Sequence, residues 1–123
     1  MPDPNFIILY VDSPAASSRF YQQLLGDEPI ESSETFVMFA LKSGPMLGLW
    51  SKHTVEPAAK AAGGGAELAF ALNNQNEFEG LYAKWKSQKF PIIQEPTDMD
   101  FGHTFVAFDP DGHRLRVFVP VTP

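Results

Sequence analysis

The chain of 123 residues contains no cysteine, which excludes disulfides, thiolate metal sites and cysteine nucleophiles from its chemistry. Basic residues are few: nine Lys and Arg stand against fifteen Asp and Glu, for a net charge of −6. Those nine are scattered rather than gathered into a stripe, so neither nucleic acid nor an anionic membrane surface is expected as a partner. No apolar run approaches the length of a membrane span, and Met1-Pro2-Asp3-Pro4 has neither the basic region nor the apolar run of a signal peptide. A cytoplasmic location is therefore expected. Gly63-Gly64-Gly65 lacks the strand, turn and helix context of a phosphate-cradling loop.

Aromatic side chains, by contrast, are plentiful. They make up 13% of the chain, and eleven of them are Phe. That is more flat apolar surface than a small core requires, and part of it is available to line a pocket. The length suits one compact domain spanning 1–123, and the composition gives no sign of two independent ones.

Apolar periodicity divides the chain into two similar halves. In the first, residues 6–11 alternate as a β-branched strand and Ser13-Pro14 supplies a helix cap followed by proline at the first helical position. This helix ends at Gly26 and carries Ala16, Phe20 and Leu24 on one face with Tyr21 and Leu25 beside them. Strands are expected near 28–31, 35–41 and 46–51. The second half repeats the order: a strand over 67–72, a helix over about 74–88 with Phe78, Leu81, Tyr82 and Trp85 on one face, then strands near 92–95, 103–108 and 114–119. Asp109-Pro110-Asp111-Gly112 reads as the turn between the last two.

The chain is thus predicted to be α+β, with two βαβββ modules at about 5–51 and 66–120 and a linker at about 52–65. Phe6 to Val11 maps on Glu67 to Leu72, 61 residues further on. Phe36-Val37-Met38-Phe39 maps on Phe105-Val106-Ala107-Phe108 with an offset of 69, and Gly44 on Gly112 with one of 68. Strand alternation then assigns Phe6, Ile8 and Tyr10, Phe36 and Met38, Met46, Gly48 and Trp50 to one lining. Glu67, Ala69, Ala71, His103, Phe105, Arg114, Arg116 and Phe118 join it from the second half. Ile7, Leu9 and Val11, with Leu68, Phe70 and Leu72, are left for the helices.

With Leu9-Tyr10-Val11-Asp12-Ser13, Phe20-Tyr21, Leu24-Leu25-Gly26, Phe101-Gly102-His103 and Asp109-Pro110-Asp111-Gly112 in this order, the sequence resembles the vicinal oxygen chelate superfamily. That superfamily includes glyoxalase I, extradiol dioxygenases, and the fosfomycin- and bleomycin-resistance proteins. The resemblance covers essentially the whole chain and implies modules whose sheets curl into a cup, with strand order 4-1-2-3 or a close variant. It also implies that metal ligands, where present, come from the first and last strands of each module. Carried onto this chain, these positions hold Phe6, Gly48, Glu67 and Arg116. Of the four, only Glu67 could bind a cation, since Phe and Gly side chains donate nothing and arginine stays protonated. No metal and no other cofactor is therefore expected.

What stands in the cup is expected to be a surface for a flat molecule. Trp50, near the end of the fourth strand, would stack on a planar ligand, and Gly48 beside it would leave the ligand room. The predicted ligand-binding set is Trp50, Phe6, Tyr10, Phe36, Met38, Met46, Gly48, His103, Phe105, Arg114 and Arg116. Glu67 and Arg116 are expected to form a cross-strand ion pair, while Arg114 or Arg116 is also able to meet a ligand carboxylate. His53 and His113 are expected to be solvated. No catalytic residue is assigned, although a histidine near Glu67 would be the place to look for general acid–base chemistry.

The function expected is non-catalytic capture of a planar aromatic molecule, an antibiotic by resemblance to the bleomycin-resistance group and, in its Leu49-Trp50-Ser51, Glu67 and Arg116, to phenazine-antibiotic resistance proteins. The same resemblance implies a homodimer. The alternative is a metal-dependent enzyme of the glyoxalase or dioxygenase type with atypical ligands.

Overall fold

The computed structural model describes residues 2–61 and 63–121. They form two compact units, Met1–Ala62 and Gly63–Pro123, and each unit is a four-stranded mixed sheet with one helix. Residue 62, within the expected linker, lies outside the described residues.

The first unit comprises β1 (Phe6–Val11), α1 (Pro14–Leu25), β2 (Glu31–Ser32), β3 (Phe36–Ala40) and β4 (Met46–Ser51). Its strand order is β1-β4-β3-β2, with β1 parallel to β4 and the other pairs antiparallel. Of the order 4-1-2-3 or a close variant expected, the sheet takes a variant in which β1 lies at the edge and β4 inside. The α1 start behaves as its sequence dictates. Ser13 Oγ accepts from the Ala16 amide at 3.2 Å and Pro14 occupies the first turn, where a missing N–H costs nothing. Its buried stripe differs from the expected one. Pro14, Ser17, Ser18 and Tyr21 are buried while Ala16, Phe20 and Leu24 are only half-buried. Beneath the helix, Val37, Phe39, Leu47 and Leu49 supply the core.

The second unit repeats the plan with β5 (Glu67–Ala71), α2 (Gln75–Ser87), β6 (Ile92–Met99), β7 (Gly102–Phe108) and β8 (Arg114–Pro120), ordered β5-β8-β7-β6. Asn74 caps α2 by accepting from the Glu77 amide at 2.9 Å, and Glu77 Oε1 in turn accepts from the Asn73 amide at 3.1 Å. The expected apolar stripe is present here: Phe78 and Trp85 are buried, with Leu81 and Tyr82 half-buried between them. Strand β6 runs four residues beyond its expected end. Pro96 interrupts it without ending it because β6 is an edge strand and its register shifts between Gln94 and Thr97, the kind of position where a sheet tolerates proline. Between β7 and β8, Gly112 takes φ +82, as the turn requires.

Candidate functional site

On the first unit the face turned away from α1 is aromatic and open. Phe6, Ile8 and Tyr10 of β1 are 41%, 43% and 43% exposed, and Trp50, Met46, Phe36 and Met38 are half-buried beside them. The register Phe36↔Trp50, Met38↔Gly48, together with Tyr10↔Trp50 and Ile8↔Gly48, sets these side chains in rows across the three strands. Phe36 meets Trp50 edge to face, with ring centroids 6.1 Å apart at 88°. The room expected over Gly48 is already filled. A Cβ placed there would lie 2.8 Å from Phe36 Cζ and 2.9 Å from Phe6 Cε1, so the glycine lets two rings close over the strand. A separate hollow of about 670 Å³ is lined by His53 to Ala58 and by none of the predicted ligand residues.

The second unit's open face centres on charge. Glu67 on β5 receives Arg116 Nε at 2.7 Å and Nη2 at 3.0 Å, a bidentate pair reaching across from β8. Arg116 Nη1 also donates to Gln94 Oε1 at 3.1 Å on β6 and to Thr104 Oγ1 at 3.2 Å on β7. Its Cζ lies 5.7 Å from the Phe101 ring centroid, within cation–π range. Arg114 approaches Glu67 Oε2 at 3.7 Å. The hydrogen bond from Arg116 holds the Glu67 carboxyl below the usual carboxylate range, against the opposing effect of burial. Sequence reading had not brought Gln94, Thr104 or Phe101 to this point.

His103 and Phe105 are not part of either open face. Across an antiparallel pair, opposed residues share a face, and the register sets Val106 opposite Arg116 and Thr104 opposite Phe118. His103, Phe105 and Ala107 consequently point to the helix. Phe105 is fully buried against Phe78, Tyr82 and Trp85 of α2, with centroids 5.1 to 5.5 Å away. His103 lies against Phe78 at 4.7 Å and pairs with Asp98 through Nδ1 at 2.6 Å. The error is one of register. The modules align at an offset of 68 through β3 and β7, because Met38↔Gly48 corresponds to Val106↔Arg116. Matching Phe36 to Phe105 at 69 slipped the strand by one residue and turned every side chain over.

His53 is exposed, its Nε2 2.8 Å from Asp12 Oδ1. His113, expected to be solvated, is instead packed. Its Nδ1 donates to Asp109 Oδ2 at 2.8 Å, and the other oxygen of this buried carboxylate accepts from the amides of Asp111 and His113.

With this geometry in place, family membership is plain. The chain belongs to the Glyoxalase/Bleomycin resistance protein/Dioxygenase superfamily, whose family model matches residues 4–117. Over 117 residues it is 31% identical to the phenazine antibiotic resistance protein EhpR of Enterobacter agglomerans, covering 93% of this chain and 89% of that one. The solution NMR structure of protein ATC0852 from Agrobacterium tumefaciens shares 50% identity with a TM-score of 0.87, covering 99% of this chain and all of that one. A glyoxalase-related enzyme from Fulvimarina pelagi has the same fold at 20% identity, with a TM-score of 0.82 over 97% of this chain and 88% of the other.

Some members of this family use a divalent metal, and the residues here do not fit one. Phe6 and Gly48 carry no donor, Arg116 is a cation, and both oxygens of Glu67 are engaged by Arg116. Among the described residues, no three His, Cys, Asp or Glu side chains come together in a way that could hold a metal ion.

Proposed function

We propose that this protein binds and sequesters a planar aromatic small molecule, an antibiotic of the phenazine kind, without chemically altering it. The observation that carries this reading is the open apolar face of the first unit. There Trp50 and Phe36 meet edge to face beside the exposed rings of Phe6 and Tyr10. Leaving such a patch in water is costly at roughly 25 cal/mol per Å², and large exposed apolar patches mark binding sites. A flat ligand lying against Trp50 would gain about 0.5–1.5 kcal/mol beyond the area it buries. Similarity to a protein whose name assigns phenazine resistance supports the same ligand class. Capture by affinity alone requires no metal and no catalytic group, in keeping with the engaged state of Glu67 and Arg116.

The reading extends to a homodimer with its ligand sites at the subunit interface, to the two units acting as one domain, and to function in the cytoplasm. Covering Phe6, Ile8 and Tyr10 gives dimerisation a physical motive.

Titration with phenazine, followed by tryptophan fluorescence, tests the ligand. Trp85 is buried and provides a constant background, so saturable quenching should come from Trp50. Followed by calorimetry, because the variant lacks the quenched indole, Trp50→Ala should weaken binding about two- to tenfold while far-UV circular dichroism stays unchanged. Absence of saturable quenching, or an affinity indifferent to Trp50, would remove the proposal. Metal analysis of protein purified without chelator should find no stoichiometric ion; a stoichiometric one would restore the enzyme reading.

A further inference from the structure

The two arginines of β8 are committed very differently. Arg116 is 17% exposed and spends Nε, Nη1 and Nη2 on Glu67, Gln94 and Thr104. Arg114 is 47% exposed, and its approach to Glu67 at 3.7 Å is longer than a hydrogen bond. Glu67 is shared by the two guanidinium groups, Arg114 being the looser partner, so the arginines carry one positive charge in excess. In a chain of net charge −6, this spot of two arginines and one carboxylate is locally positive.

The surface beside it has the shape for a ring system. Ala69 and Ala71 are exposed on β5, paired with Arg116 and Phe118, and offer a low floor without projecting side chains. Phe118 stands at the far end, edge to face with the exposed Phe101 at 5.7 Å. From Arg114 to Phe118 is four residues of strand, about 13 Å at the usual rise. A single benzoate ring does not span that distance, whereas the flexible reach of arginine toward a fused tricyclic acid does.

We propose that the open face of the second unit is an aromatic carboxylate site, with Arg114 taking the carboxylate and Phe101 and Phe118 meeting the rings. Arg116 acts as a positioning residue: by holding Glu67 bidentately it leaves Arg114 only a loose contact with that carboxylate. The inference rests on the preceding reading only for the planarity of the ligand; it assigns the carboxylate to Arg114 rather than Arg116 and adds Phe101 and Phe118 as the ring contacts.

The test is an NMR titration of the full chain with phenazine-1-carboxylate, with phenazine and benzoate as comparisons. Saturable shifts of the Arg114, Phe101 and Phe118 signals, at least about tenfold tighter for the tricyclic acid than for phenazine, are expected of a charge-assisted contact. Arg114→Gln should abolish that preference, and Arg114→Lys should restore it only in part because the planar fork is lost. Absence of saturable shifts at these residues, or equal affinity of acid and neutral ligand in the wild type and in R114Q, would overturn the proposal. That outcome is separable from failure of the preceding reading, which is read from Trp50 quenching by uncharged phenazine.

Discussion

At the scale of single residues, the clearest commitments are two carboxylates held by partners of opposite charge. Glu67 has its proton affinity lowered by Arg116, so the stability it contributes is present above its unfolded value and fades as pH falls through its lower folded value. His113 has the opposite sign. Its hydrogen bond with Asp109 raises its pKa against the effect of burial. Its contribution is present below its unfolded value and disappears as pH rises through the raised one. Thermal melts of Arg116→Gln and His113→Gln against wild type should therefore show gaps that close in acid and in alkali respectively. Near neutral pH, Arg116→Gln should cost about 1–2 kcal/mol, partial exposure reducing the cost of breaking a buried pair. The exchange Glu67→Arg with Arg116→Glu should recover part of that loss in Tm; no recovery would show that Gln94 and Thr104, rather than Glu67, dominate the site.

Among the elements, β7 carries the sharpest expectation. Because Phe105 packs beneath α2 against Phe78, Tyr82 and Trp85, Phe105→Ala should lower stability by about 3–5 kcal/mol in denaturant melts. His103→Ala should leave phenazine affinity unchanged in the fluorescence titration. Two glycines offer a further contrast. At Gly102, with φ +153, an added Cβ would fall 2.1 Å from the Val119 carbonyl oxygen of the paired strand, and backbone cannot yield as a side chain does. Gly102→Ala should cost several kcal/mol. Gly48→Ala would meet only the outer atoms of the Phe6 and Phe36 rings, which stand on an open face and can swing. A loss under about 1.5 kcal/mol is expected, accompanied by altered ligand affinity. Equal losses at the two positions in urea melts would contradict this account.

For the whole molecule, the exposed apolar face of the first unit predicts self-association. If a second copy covers it, the Tm should rise with protein concentration and sedimentation should show a dimer. A concentration-independent melt from a sedimenting monomer would reject that part of the proposal. The β5-β8-β7-β6 sheet repeats β1-β4-β3-β2, and this duplication was legible in the chain because hydrophobic period, helix caps and turn residues are local properties. The Ser13 and Asn74 caps, the strand at Met46–Ser51 and the stripe on α2 all follow from neighbours a few residues apart. So does the list of residue types at the expected metal positions, where Glu67 alone carries a donor. What sequence alone did not determine is which side chains share a face on β7. An aromatic-for-aromatic match and the true register differ there by one residue, and only hydrogen bonding to β8 chooses between them. The same holds in part for Arg116. Its cross-strand pair with Glu67 follows from the family resemblance, whereas Gln94 and Thr104 join it from two further strands, brought together by pairing between residues distant in sequence.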